Sequence, residues 1–359
     1  MDFTLTPDQQ NIRDAILKHC AAFPDEYWLA RDRDGVFPHE FVASLAEAGW
    51  LGIAMPQEYG GSGLGISEAA VMMQAIAESG AAMSGASSVH IPVFSVQPVV
   101  LFGTPAQKQR ILPPVVSGKD RVCFAVTEPN AGLNTTELKT RAERREGGYL
   151  VNGEKIWIST AQVSNKMLLL ARTTPLEQVQ RKTHGLSLFY TDLDRSKVEV
   201  RLIHKMGRHA VDSNMLFISD LWVPEEDRIG PEGEGFKILL HGLNPERVLV
   251  AAEAVGIGRA AIARAARYAR ERIVFNRPIG MNQGIQHPLA KCWAQLEAAN
   301  LMVLKAASLF DRGQECGVEA NTAKYLAGEF AFEACHTAML TLGGMGYAQE
   351  YHVERLLRE

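Results

Sequence analysis

The stretch YLVNGEKIWI, residues 149–158, is the longest of several segments rich in β-branched and aromatic residues that lie between residues 121 and 229. Such residues favour strands, and turn signals such as Asn152-Gly153 separate or bend the segments. We predict seven strands, at 122–126, 140–144, 149–158, 167–173, 186–190, 198–203 and 215–221. Because no helical pattern lies between them, an antiparallel barrel or sandwich is favoured over a parallel α/β sheet.

Helical patterns flank this strand-rich segment on both sides. Before it, we predict helices starting at the Thr6-Pro7 cap and at 38–48, 66–79, 92–101 and 105–116. After it, we predict that the chain is helical again from Gly235 onward, with one long helix that runs to about Arg272, two more at about 286–312 and 319–342, and one that has barely begun within 351–359. The fold class is therefore α+β multidomain: an N-terminal helical domain (1–120), a central β domain (121–229) and a C-terminal helical bundle (230–359), expected to be incomplete at its C-terminus.

Composition excludes several classes of protein. The 359 residues are 47% apolar and 22% charged, and the net charge of −4 offers no basic field for nucleic acid. No uninterrupted apolar run is long enough to predict a membrane span, and Met1-Asp2-Phe3-Thr4 carries no basic n-region or apolar signal core, so we do not expect secretion. The five cysteines and ten histidines are scattered, so we predict a reducing compartment (the cytoplasm, or the mitochondrial matrix in a eukaryote), no disulfides and no metal.

Glu246 is the strongest candidate for catalysis. Asn244 is a good helix N-cap and Pro245 suits the first helical position, so Glu246 is predicted in the first turn of a long helix. There the helix dipole favours a carboxylate, and a fixed carboxylate at the mouth of a pocket suits proton abstraction. The alternative is a helix-start glutamate without chemistry.

The pattern GIGRAA at residues 256–261 has the residue types of a dinucleotide-binding fingerprint but not its structural context. That fingerprint requires a preceding strand, whereas this one lies inside a helical run. We expect its glycines to permit close helix packing instead.

Two short segments could hold a flat polar cofactor. Residues 127–132 form a Pro/Asn/Gly turn after a strand, which exposes backbone N–H groups and the Thr127 hydroxyl. Trp157 and Ser159 are two residues apart and are therefore predicted on one strand face, an aromatic plate beside a hydroxyl. The alternatives are a plain turn and a core tryptophan.

Two further segments near the C-terminal helices could bind phosphate. Arg272, three residues before Phe275, could fork onto a pyrophosphate, and Gly343-Gly344 could let the backbone approach a ligand closely. The alternatives are an arginine that complements the helix dipole and a plain glycine C-cap.

Together and in this order, these segments resemble the acyl-CoA dehydrogenase family of flavoproteins. The resemblance covers the whole chain and rests on residues 56–63, 124–132, 272–280 and 343–354. It implies FAD at a subunit interface, in a homotetramer that is a dimer of dimers. It also implies that one set of residues contacts the flavin and nearby atoms: Phe124, Val126, Thr127, Trp157, Ile158 and Ser159. A second set would bind the pyrophosphate and adenosine of a neighbouring subunit's FAD: Arg272, Phe275, Gln283, Gly343 and Gly344.

The resemblance also implies an activity, the dehydrogenation of an acyl-CoA to the trans-2-enoyl-CoA, with electrons passed to electron-transfer flavoprotein. Most members carry the base in a Tyr-Glu-Gly-Thr segment, which would fall beyond Glu359. A minority use a Glu-Arg pair on the long helix, where this chain has Glu246-Arg247. We predict Glu246 as the base and Lys237, Asn244, Arg247 and Leu133 on the substrate side. Leu133 and Leu340 depart from the family's usual Ser and Gln.

Three alternatives to this activity stay open. An acyl-CoA oxidase or a flavin monooxygenase would share the fold and change the oxidant. A non-catalytic homologue would bind FAD or acyl-CoA without turnover. A nicotinamide enzyme is the remote alternative.

Overall fold

Seven α-helices form the N-terminal part of the protein in the computed structural model, which describes residues 4–359. They are α1 (Pro7–Cys20), α2 (Asp25–Asp34), α3 (His39–Glu47), α4 (Ile66–Ile76), α5 (Ala82–Ser95), α6 (Gln97–Phe102) and α7 (Pro105–Val116). The predicted cap of α1 is confirmed, because the Thr6 hydroxyl accepts from the Gln9 backbone N–H at 3.2 Å. The predicted bounds of α7 are also confirmed.

The predicted helix at 92–101 is wrong. Pro92 lies inside α5, which begins at Ala82, and a new helix starts at Gln97. A proline within a helix gives up one backbone hydrogen bond, and here the surrounding side chains are almost all buried. The helix predicted at 66–79 ends at Ile76, and a π-helical turn, Ala77–Ala81, contains Gly80 at φ 104°. Helix α2 was not predicted.

The central part is one eight-stranded sheet. Its strands are β1 (Val122–Ala125), β2 (Arg141–Arg145), β3 (Gly148–Ser159), β4 (Lys166–Arg172), β5 (Leu186–Asp192), β6 (Val198–Leu202), β7 (Ser213–Pro224) and β8 (Arg228–Ile229). The spatial order is β6-β7-β3-β2-β4-β5-β8, with β1 beside β4. All seven predicted strands are present. The expected antiparallel pairing is wrong for β1 and β2, which both run parallel to β4; the β2–β3 hairpin intervenes before the chain returns beside them.

Strand β4 explains how the sheet joins the helices. Leu168 and Leu170 point into the core shared with the helices, whereas Met167, Leu169 and Ala171 point into the core of the central domain. Both faces are buried, which is why the strand reads as a continuous apolar run. Because β1 pairs with β4, the end of β1 also lies at this boundary between the sheet and the helices.

The C-terminal part is a bundle of long helices. It comprises α8 (Gly235–Glu271), the small hairpin β9 (Ile273–Val274) and β10 (Arg277–Pro278), α9 (Gln283–Asp311), α10 (Gly317–Leu342) and α11 (Val353–Arg358). A Cβ at Gly256 would come within 2.4 Å of the Gln74 carbonyl oxygen, and one at Gly258 within 2.6 Å of Leu296. The expectation that these glycines permit close helix packing is therefore confirmed.

Residues 66–102, which span α4 to α6, are long enough and apolar enough to cross a bilayer when only length and composition are considered. However, 78% of the most apolar window is buried inside the molecule. Such burial is typical of the core helices of a globular domain.

Candidate active site

Glu246 was predicted in the first turn of its helix, and this prediction is wrong. Glu246 is the twelfth residue of α8. The preceding segment, 235–243, is helical and buries Ile238 and Leu239, so the helix continues through Pro245 despite the missing N–H donor. The dipole argument for Glu246 is therefore wrong, because the effect is confined to the first turn. Burial, rather than the helix end, determines the environment of this carboxylate.

The Glu246 carboxylate is partly buried and has no hydrogen bond or ion pair within residues 4–359. Burial raises its pKa above the usual range, and the charges of His90, Arg247 and Lys324 oppose that rise. Arg247 donates instead to the Asn244 side-chain oxygen at 2.9 Å. A carboxylate with a raised pKa and no competing partner is well suited to accept a proton.

A second acid lies two helical turns further along α8. Glu253 is fully buried, and one of its oxygens is 2.7 Å from Nδ1 of His90 on α5. Its other oxygen has no hydrogen-bond partner within the described residues. Sequence reasoning missed this pair, although a lone charge inside the apolar run VAAEAVG was a usable signal.

Helix α5 connects Glu253 to the end of β1. The His90 and Phe94 rings are 5.6 Å apart between centroids, and Phe94 packs edge-on against Phe124 at 5.3 Å. Just after Phe124, Val126 is buried, and the Thr127 hydroxyl donates to the Ile156 carbonyl at 2.6 Å. Phe124 on β1 and Glu253 on α8 therefore contact the same helix, through Phe94 and His90 respectively.

The predicted geometry of Trp157 and Ser159 is wrong in detail. An irregularity in the pairing of β3 with β7 lies between Lys155 and Ile158, and Trp157 adopts a left-handed φ of 61°. The strict alternation of strand faces is lost there, so the two side chains are not on one regular face. Trp157 is 58% exposed, which excludes a core role and leaves its ring available as a plate. The Ile158 side chain is buried in the core of the central domain, so only its backbone remains a candidate.

A buried ion pair fixes the end of β1. The Lys155 ammonium, fully buried, donates to the Val126 carbonyl at 2.9 Å, to the Leu170 carbonyl at 2.8 Å and to Glu128 at 3.0 Å. Glu128 also accepts from the backbone N–H groups of residues 139 and 140. This network, which was not predicted, holds residues 126–128 against β3 and β4.

The second predicted FAD set lies elsewhere. Arg272 follows the end of α8, about 39 Å along the helix from Glu246 at 1.5 Å per residue. Phe275 is almost fully exposed in the β9–β10 hairpin, and Gln283 is exposed at the start of α9. A Cβ at Gly343 or Gly344, where α10 ends, would meet nothing within 4 Å. Arg272 is thus far from Glu246 along α8, and Phe275, Gln283, Gly343 and Gly344 lie at exposed or open positions of the chain.

The predicted substrate-side residues are divided between two places. Lys237 and Asn244 line an open cleft of about 970 Å³ whose other wall includes Gly63, Gly65 and Phe310. Glu246 is not among the residues that line this cleft in the described chain. Leu133 is fully exposed in the loop after β1. Within residues 4–359, no group of three or more His, Cys, Asp or Glu side chains could hold a metal.

Known proteins match the chain over its whole length. Family models described as the N-terminal, middle and C-terminal domains of acyl-CoA dehydrogenase match residues 6–119, 123–221 and 233–359. An acyl-CoA dehydrogenase of Bacillus subtilis is 36% identical over 90% of this chain and 84% of its own. The caffeyl-CoA reductase-Etf complex subunit CarC of Acetobacterium woodii is 33% identical over 91% and 86%. A solved structure of PigA with FAD and proline superposes with a TM-score of 0.94 at 26% identity, over 100% of this chain and 93% of that one.

Proposed function

The chain belongs to the acyl-CoA dehydrogenase family, and on that premise we propose that it oxidises an acyl-CoA thioester to the trans-2-enoyl-CoA with Glu246 as the base. It is a flavoprotein oxidoreductase that acts on a CH–CH group and uses FAD. The observation that carries the proposal is the partly buried, unpartnered Glu246 carboxylate, whose pKa is raised by burial. Glu246 accepts the α-proton, and FAD, when bound, supplies the acceptor for the β-hydride.

The residues at the end of β1 and β3 fit a flat aromatic cofactor. Trp157 exposes its ring, Ser159 and Thr127 offer hydroxyl groups, and Phe124 is partly buried. We assign these residues, with the backbone of Val126 and Ile158, to the flavin ring and its surroundings. The protein's part is to orient the ring, to exclude water and to hold the α-carbon near Glu246.

The second FAD set supports a proposed assembly. Arg272 lies about 39 Å along α8 from Glu246, too far to reach the same end of one cofactor in the chain that carries both. We therefore assign Arg272, Phe275, Gln283, Gly343 and Gly344 to the FAD of a neighbouring subunit in a homotetramer, a dimer of dimers. The exposed Phe275 ring would be covered in that assembly.

We assign the positioning of the acyl-CoA substrate to Arg247, Asn244 and Lys237. We also assign the exposed Leu133 to the substrate side. Arg247 and Asn244 are hydrogen-bonded to each other and flank Glu246 in sequence. Electron-transfer flavoprotein is the proposed acceptor, supported by the Etf-complex relative. The five free, buried cysteines fit a reducing compartment such as a bacterial cytoplasm.

Anaerobic titration of the purified FAD-bound protein with straight and branched acyl-CoA thioesters tests the proposed function. We expect bleaching of the flavin absorbance by at least one chain length and reoxidation by electron-transfer flavoprotein. Rapid reoxidation by oxygen with stoichiometric peroxide would instead identify an oxidase. A bound flavin that no thioester bleaches would identify a non-catalytic homologue and contradict the proposal.

The pH dependence of flavin reduction should reflect the environment of Glu246. Only the deprotonated carboxylate accepts a proton, so the rate should rise with pH through a pKa above the usual glutamate value. Arg247→Met removes a positive charge that lowers this pKa and should move the inflection to higher pH. Lys324→Met is the matched control, and its more weakly coupled charge should give a smaller shift in the same direction. Stopped-flow reduction across pH measures both, and an inflection unmoved by Arg247→Met would contradict the expectation.

A further inference from the structure

Arg208 is a partly buried cation that joins α5 to the end of β3. Its Nη1 donates to the Ser87 hydroxyl at 3.2 Å, and its Nη2 donates to the Ser159 hydroxyl at 3.1 Å. The residue adopts a left-handed φ of 54°, an unfavourable conformation for a side chain of this size. The two hydrogen bonds place the guanidinium between the Ser87 and Ser159 hydroxyl groups.

The charge of Arg208 is not neutralised locally. Its two side-chain hydrogen bonds go to hydroxyl groups, and it forms no ion pair with a carboxylate among residues 4–359. Burial lowers the pKa of its guanidinium, and the more distant Glu253, Glu359 and Asp212 oppose that effect. An arginine stays protonated even so. A fixed positive charge thus lies one hydrogen bond from Ser159.

We propose that Arg208 orients the Ser159 hydroxyl toward the flavin and raises the flavin's reduction potential by its positive charge. The inference rests on the proposed placement of the flavin ring at Ser159. Two electrons and one hydrogen arrive at the ring as the hydride lost from the β-carbon, while the α-proton goes to Glu246. Because reduction adds negative charge to the ring, a nearby fixed cation favours the reduced form. Arg208 is a positioning residue, and Glu253 partly offsets its charge.

The test is the midpoint potential of the bound flavin in the FAD-loaded protein, measured by anaerobic reductive titration with a dye of known potential. Arg208→Met should favour the oxidised form at least tenfold more than the wild type does, which for a two-electron couple is a fall of about 30 mV. Arg208→Lys keeps the charge and should recover most of the potential. Glu253→Gln removes an opposing charge and should raise the potential.

These outcomes separate the inference from the proposed function. The titration uses a chemical reductant, so it needs no acyl-CoA turnover. If acyl-CoA bleaches the flavin but the potentials of Arg208→Met and Glu253→Gln both equal that of the wild type, the inference is overturned while the proposed function stands. If Arg208→Met does not retain FAD, Glu253→Gln decides: a rise supports the inference, and no rise or a fall overturns it. A purely structural role for Arg208 would lower the melting temperature without opposite shifts of potential in the two variants.

Discussion

Glu246→Gln should slow anaerobic flavin reduction by acyl-CoA about 10²- to 10⁴-fold, the usual contribution of a positioned base. Glutamine keeps the shape of the side chain and cannot accept the α-proton. The Glu246 carboxylate has no hydrogen bond or ion pair within residues 4–359, so its replacement leaves no buried partner unsatisfied. We therefore expect the folded protein and its FAD content to be unchanged.

Stopped-flow absorbance of the flavin measures this effect. Glu253→Gln is the matched control, because Glu253 lies on the same helix and is engaged by His90. Its rate should change less than tenfold. If Glu253→Gln abolished reduction and Glu246→Gln did not, the two acids would exchange roles. Undiminished reduction in both variants would place the base elsewhere in the protein.

Lys155→Met should lower the free energy of unfolding by about 3–5 kcal/mol, the typical loss when one partner of a buried ion pair is removed. The substitution leaves the Glu128 carboxylate without its ammonium and strips the Val126 and Leu170 carbonyls of a donor. Because this network holds the end of β1, FAD should also dissociate more readily. Chemical denaturation followed by circular dichroism measures the first effect, and flavin fluorescence on dilution measures the second.

The double variant Lys155→Met/Glu128→Gln is the control for that prediction. It removes both charges, so no unpaired buried carboxylate remains, and part of the lost stability should return. A double variant no more stable than Lys155→Met alone would show that the lost carbonyl contacts, rather than the unpaired charge, cause the destabilisation.

The strands and several helices could be predicted because their signals are local. Strand segments rich in β-branched residues and the cap at Thr6 depend on neighbouring residues only. Pro92 and Pro245 were misread because each suits a helix start, whereas tertiary packing carries α5 and α8 through them. The parallel pairing of β1 depends on the path of the chain, which no local pattern records.

The candidate site was predictable in part. The sequence pattern singled out Glu246, Trp157 and Ser159 and the resemblance gave them roles, but the environment of each came from the structure. No motif in the sequence marks Arg208 or Lys155. Their roles depend on contacts between distant segments, Arg208 with Ser87 and Ser159, and Lys155 with the Val126 carbonyl. Burial raises the pKa of Glu246, the opposite of what a helix-start position would do.

Deuterium exchange at the α-carbon of a bound acyl-CoA analogue, with sulfur in place of its β-carbon, tests the role of Glu246 most directly. Such an analogue has no β-hydride to lose, so only proton removal is observed in D₂O. We predict exchange in the FAD-loaded wild type and exchange at least about 100-fold slower in Glu246→Gln, consistent with loss of a general base. Exchange in Glu246→Gln within twofold of the wild type would contradict the account.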